Sequence, residues 1–135
     1  MKIHFFKQLI SCFIFVLILS KAYSQNIQLG ELTEKYWGIS SYQAGGQRIP
    51  ALESGNNDSS IFFSNHTGKS TNSGTFQWYN WQVDSVKNVL ILTHEKSKEI
   101  SEMRILLLNK NEFEFEITGR DSMKIKVLML DLGKK

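Results

Sequence analysis

The stretch NKNEFEFEITG, residues 109–119, alternates almost without interruption. Phe113, Phe115 and Ile117 fall on one side of an extended chain, and Glu112, Glu114 and Glu116 on the other. Four residues further on, MKIKVLML at 123–130 repeats the pattern. Met123, Ile125, Val127 and Met129 share one side there, and Lys124 and Lys126 lie on the opposite side with Leu128 and Leu130. Pairing the two runs as a hairpin sets Ile117 opposite Ile125, Phe115 opposite Val127 and Phe113 opposite Met129. One face is then wholly apolar, and Glu116 meets Lys126 on the other. A buried face demands this register, because a slip of one residue would turn every apolar side chain outward. The connection must have odd length, with a bulge near Gly119.

The same short-strand texture extends back to Tyr36. Strands are expected at 36–43, 47–52, 60–65, 74–83, 88–94, 102–108, 112–118 and 123–130. Runs rich in Gly, Asn, Asp and Ser separate them, among them TGKSTNSG at 67–74. Short, evenly spaced strands with tight connections predict an antiparallel meander, closed as a barrel or folded as a sandwich. No connection leaves room for the helix of a parallel crossover. Pro50, the one proline, suits an edge or bent position. The apolar ILLL at 105–108 does not assign its own faces; such a strand is covered on both sides or contains a bulge. Ahead of the strands, Ile27, Leu29 and Leu32 are spaced like a short helical turn.

The first residues read as an address. MKIHFFKQ carries two lysines, LISCFIFVLILS at 9–20 is apolar, and Ala22 and Ser24 stand at −3 and −1 of a cut before Gln25. This is the layout of a secretory signal peptide, residues 1–24, leaving one domain over 25–135. The apolar run is shorter than the roughly 20 residues of a membrane span. The expected destination is the periplasm or the medium. Removing Lys2, Lys7 and Lys21 from the 16 basic residues leaves 13, against 13 acidic ones. A near-neutral chain without a basic cluster argues against nucleic acid as a partner. Cys12, the single cysteine, precedes most of the apolar run rather than following it, unlike a lipid-anchored cysteine. A domain of this kind holds together by its core, without disulfides.

Three further pieces carry a resemblance. EKYWGISSYQ opens the first strand on a tryptophan; SIFFSNHTGKSTNSGTFQWYN sets an aromatic strand and a turn before Gly-Thr-Phe; ILLLNKNEFEFEI places an aliphatic strand before the alternating one. Together they resemble the small lipocalin-like domains of exported bacterial proteins, across residues 32–130. The resemblance implies an up-and-down barrel of about eight strands around a cavity or core, with Trp37 closing one end. It departs from the lipocalin Gly-x-Trp pattern at Lys35, where the glycine would stand.

Chemistry-bearing motifs are sparse. A glycosidase pair of carboxylates works in a recess, whereas the three glutamates form a regular row beside lysines, which marks a solvent face. His66 and His94 lack metal-site spacing. No nucleophile motif surrounds the serines, and neither TGKST nor AGG has phosphate-loop spacing. No catalytic residue, metal or cofactor is expected. The expected function is a non-enzymatic binding protein that holds a small apolar or amphipathic ligand within the barrel. Its expected lining is Trp37, Phe63, Phe76, Trp78, Leu90, Leu92, Phe113, Phe115, Ile125 and Val127. The alternative is a filled-core barrel that contacts a protein or glycan through outer aromatics and loops, with Tyr79 and Trp81 on the outside.

Overall fold

The computed structural model describes residues 27–51, 58–72, 74–119 and 121–134. The expected signal peptide lies outside the described residues. A 3₁₀ turn, Leu29–Glu31, precedes nine strands: β1 Lys35–Ala44, β2 Gln47–Pro50, β3 Ser59–Phe62, β4 Thr67–Asn72, β5 Thr75–Asp84, β6 Val89–His94, β7 Ile100–Leu108, β8 Glu112–Thr118 and β9 Lys124–Lys134. Every strand pair is antiparallel, in the order β2-β1-β3-β4-β5-β6-β7-β8-β9, and β1 pairs again with β9. Eight strands thus close a meander barrel, with β2 as an extra strand bonded to β1 alone. Pro50 ends that extra strand, where a missing N–H breaks no central ladder.

The β8–β9 hairpin has the register that the alternation demanded. Ile117 faces Ile125, Phe115 faces Val127, Phe113 faces Met129 and Glu116 faces Lys126. On the outside, Glu116 reaches diagonally to Lys124 at 3.8 Å and across β7 to Arg104 at 3.9 Å. The carboxylate row is the outer, charged face of a wall strand. In β7 the register slips between Ile105 and Leu107, so Ile105 and Leu108 are both buried. That bulge resolves the two-faced ILLL run.

β4 corrects the expectation of a loop over 67–74. Its backbone pairs on both sides, Gly68 with Phe62 and with Tyr79, and Ser70 with Ser60 and with Gln77. Gly68 is indispensable in that row. A Cβ there would lie 2.2 Å from the Tyr79 ring. The ring lies flat over the bare backbone, so the small residue marks close packing rather than a turn.

This packing sets the parity of β5 and corrects a second expectation. Tyr79 is only 2 % exposed and belongs to the core, with Trp81 and Val83 against it. Phe76 and Trp78, expected inside, are 58 % and 47 % exposed. Both sides of TFQWYNWQV carry aromatics, so alternation alone could not decide which faced in. The room over Gly68 decides it. A one-residue shift also corrects β3: Phe62 enters the core, and Phe63 lies half-buried just past the strand.

The core is aromatic. Trp37 meets Phe113 edge-on at 5.7 Å, Phe62 meets Tyr79 at 5.8 Å and Phe113 at 6.3 Å, and Phe113 lies 5.0 Å from Phe115. Leu90, Leu92, Leu108, Val127 and Met129 fill between them. Each such side chain contributes roughly 1.5–3 kcal/mol by leaving water, and tilted aromatic pairs add to that.

Candidate functional site

The two ends of the barrel differ. At one end lie the β3–β4, β5–β6 and β7–β8 connections and the N-terminal turn, which forms a plug. Leu32 is buried, and its carbonyl accepts a hydrogen bond from Trp37 Nε1 at 2.9 Å. Gln28 N–H donates to Leu108 O, and Glu34 N–H to Phe62 O. Lys35 is nearly buried beneath the turn, where a bare charge would be costly. Its Nζ contacts Glu31 Oε2 and Lys110 O, each at 2.9 Å, stands 3.9 Å from Asp131, and lies 4.8 Å from the Trp37 ring. Trp37 is therefore buried beneath the plug and bonded to it. The same lysine that replaces the expected glycine ties the plug down.

Among the described residues, no such plug covers the opposite end. The row that begins on Trp37 runs through Ser60, Ser70 and Gln77 on β3, β4 and β5. A bulge between Ile39 and Ser41 lets Ile39 and Tyr42 both face β9 residues of the core, Met129 and Val127. These side chains surround a recess of about 210 Å³, lined by Ile39, Tyr42, Ser60, Ser70, Gln77 and Met129, with Asp58, Ser59 and Thr71 at its rim. Ser60 and Ser70 share a hydrogen bond of 2.9 Å. Beneath them the Tyr79 hydroxyl donates to Ile61 O at 3.3 Å. Burial pushes the Tyr79 phenol up to about 12, and hydrogen bonding with Ser70 and Ser60 opposes that rise in part. The recess floor is thus a neutral, hydroxyl-rich layer above an aromatic core.

A second recess adjoins the first at Gln77. It is a groove of about 430 Å³ between the start of β5 and the β6–β7 turn, lined by Phe76, Gln77, Trp78, His94, Glu95, Lys96 and Ser97. On its outer edge Lys69 Nζ stands 4.0 Å from the Phe76 ring centre and 5.5 Å from that of Trp78. His94 lies at this rim. His66 is at the plugged end, exposed, with its ring 4.6 Å from Trp81. Among the described residues no three His, Cys, Asp or Glu side chains come together as a metal set.

Of the expected lining residues, Trp37, Leu90, Leu92, Phe113, Phe115 and Val127 are packed against one another, and Ile125 is half-buried beside them. They fill the barrel rather than line a void. Phe63 lies outside the core, and Phe76 and Trp78 line the outer groove. Sequence reasoning missed Ser60, Ser70, Gln77 and Tyr42 at the mouth. Ser70 was hidden in a segment whose polar composition suggested a loop, and Ser60 stood at the first position of an expected strand. Among the described residues no helix is long and apolar enough to cross a membrane. No family model matches the chain, and no curated protein matches it.

Proposed function

We propose that this protein is an exported, non-enzymatic, lipocalin-like binder that takes one small amphipathic molecule at its open mouth. One observation carries this reading: at the end opposite the plug, Ile39, Tyr42 and Met129 meet Ser60, Ser70 and Gln77 around a recess of about 210 Å³. That is room for about seven waters' worth of liquid, below the 300 Å³ or so where drug-sized pockets begin. It suits a ligand of about one ring. Its apolar edge would lie on Ile39 and Met129, and its polar groups would meet the serine hydroxyls and the Gln77 amide. Part-buried hydroxyls of this kind disfavour a ligand that leaves them unpaired, so they give selectivity.

Native mass spectrometry of protein from its own host tests the reading. A retained small molecule is expected on the wild type, and Gln77→Trp, which fills the mouth from an exposed position, should abolish retention. Equal retention by the variant would overturn the mouth as the site.

A second reading rests on a different observation, the exposure of Phe76 and Trp78 beside the larger groove. In it the barrel also acts as an interaction module through its outer wall.

A further inference from the structure

We infer that the Phe76–Lys69–Trp78 platform is a binding site for an acidic saccharide, a chain of sugar rings bearing carboxylates. The inference rests on the second reading above and gives it a ligand class. Three features of the platform converge. First, two large aromatics stand outside the barrel at successive outward positions of β5, and exposed rings of this kind stack on the C–H faces of sugars. Second, Lys69 on β4 holds its ammonium over both rings. The ion pairs among the described residues involve Lys35, Arg104 and Lys124, so among the described residues Lys69 is paired with no carboxylate. A cation oriented by two aromatic faces is ready for an incoming anion, and the resulting charge-assisted bond is stronger than a neutral one. Third, the adjoining groove supplies the Lys96 ammonium and the Ser97 hydroxyl together with the Gln77 amide and Glu95 carboxylate. A saccharide uses such donors and acceptors at each ring.

The extent of the surface fits a short chain. Tyr36, Ile61, Lys69 and Trp78 form one row across β1, β3, β4 and β5, with Ile61 buried and Tyr36 and Trp78 exposed on either side of it. Three strand spacings make this row about 14 Å long, near the length of about three sugar rings. Tyr36 stands partly exposed at its far end and adds a third ring to the track. An anionic bilayer would make use of Lys69 and the aromatics. It has no use for a polar groove of about 430 Å³ beside the platform.

Titration calorimetry and amide NMR with the trimer of galacturonic acid, and with the neutral trimer of galactose, test the inference. The acidic trimer should shift the Trp78 indole and the amides of 76–78 and 94–97. It should bind at least about tenfold more tightly than the neutral one and weaken as salt rises. Lys69→Ala should remove that tenfold preference while circular dichroism stays unchanged, Lys69→Arg should keep it, and Trp78→Ala should lose both trimers. Equal binding of the two trimers, or a preference that survives Lys69→Ala, overturns the acidic class and leaves a neutral-glycan platform. Binding of neither trimer overturns the inference together with a glycan role for the outer wall. Lys69-dependent sedimentation with phosphatidylglycerol vesicles, without trimer binding, would make the surface a membrane contact instead.

Discussion

Replacing Gly68 by alanine tests the packing that sets the faces of β5. The added Cβ would lie 2.2 Å from Tyr79 Cε2, 2.6 Å from Cζ and 2.9 Å from the hydroxyl oxygen. Ordinary carbon contacts are about 3.5–4.0 Å, so the ring or the strand must move by more than about 1 Å. Neither has room. Phe62 lies against the ring at 5.8 Å between centres, and the hydroxyl is tied to Ile61 O. Overpacking typically costs about 1–3 kcal/mol, and loss of the hydroxyl's hydrogen bond adds about 1 kcal/mol. Gly68→Ala should therefore destabilise the barrel by about 2–4 kcal/mol, although alanine is otherwise the better strand residue by about 0.5–1 kcal/mol. Chemical denaturation followed by tryptophan fluorescence measures the change. The control is Tyr79→Leu, which removes every atom of the clash. In that background Gly68→Ala should cost less than about 1 kcal/mol, a coupling of about 3 kcal/mol between the two sites. Additive effects would refute the claim that Gly68 exists to seat the Tyr79 ring, and with it the explanation for the outward Phe76 and Trp78.

Tyr79 also predicts a pH dependence. Its folded-state value, about 12, lies above the ordinary 10.0, so its contribution is complete below pH 10 and is lost as pH rises from 10 towards 12. The loss amounts to roughly 3 kcal/mol, and Tyr79→Phe should flatten that part of the stability curve. An unchanged slope in the variant would remove Tyr79 as the cause. Trp37→Phe keeps the ring but loses the bond to Leu32 O, so it should cost about 1–2 kcal/mol and speed hydrogen exchange at residues 28–34 relative to β6. Uniform exchange in both segments would show that the tryptophan does not latch the plug.

The hairpin of β8 and β9 was legible because each strand has one clean apolar face and one charged face, and only one register matches them. The antiparallel meander followed from the same periodicity along the chain, whereas closure as a barrel rather than a sandwich was only implied by the resemblance. The mouth was not legible. Thr67–Asn72 has the composition of a loop, and only its pairing with both neighbours makes it a wall strand. Once β4 is missing, nothing indicates that Gly68 lies beneath residue 79, and β5 has aromatics on either side. The bulge between Ile39 and Ser41 is silent in sequence for a similar reason, since Ile39 and Tyr42 do not share a period of two. Local alternation specifies a strand's two faces, but partners several residues or strands away choose which face turns in.

The seam between β1 and β9 has a consequence for how the barrel can come into being. Its inner wall is continuous only when the strand that emerges early meets the one that emerges late. Contacts so distant in sequence form slowly, and until they form, β1 and β9 each present a bare edge. A bare edge accepts any strand of matching pattern, including β9 of another copy. The pairing that closes one barrel is thus also the pairing that could join two, and which occurs depends on whether a chain's own last strand arrives before a neighbour's.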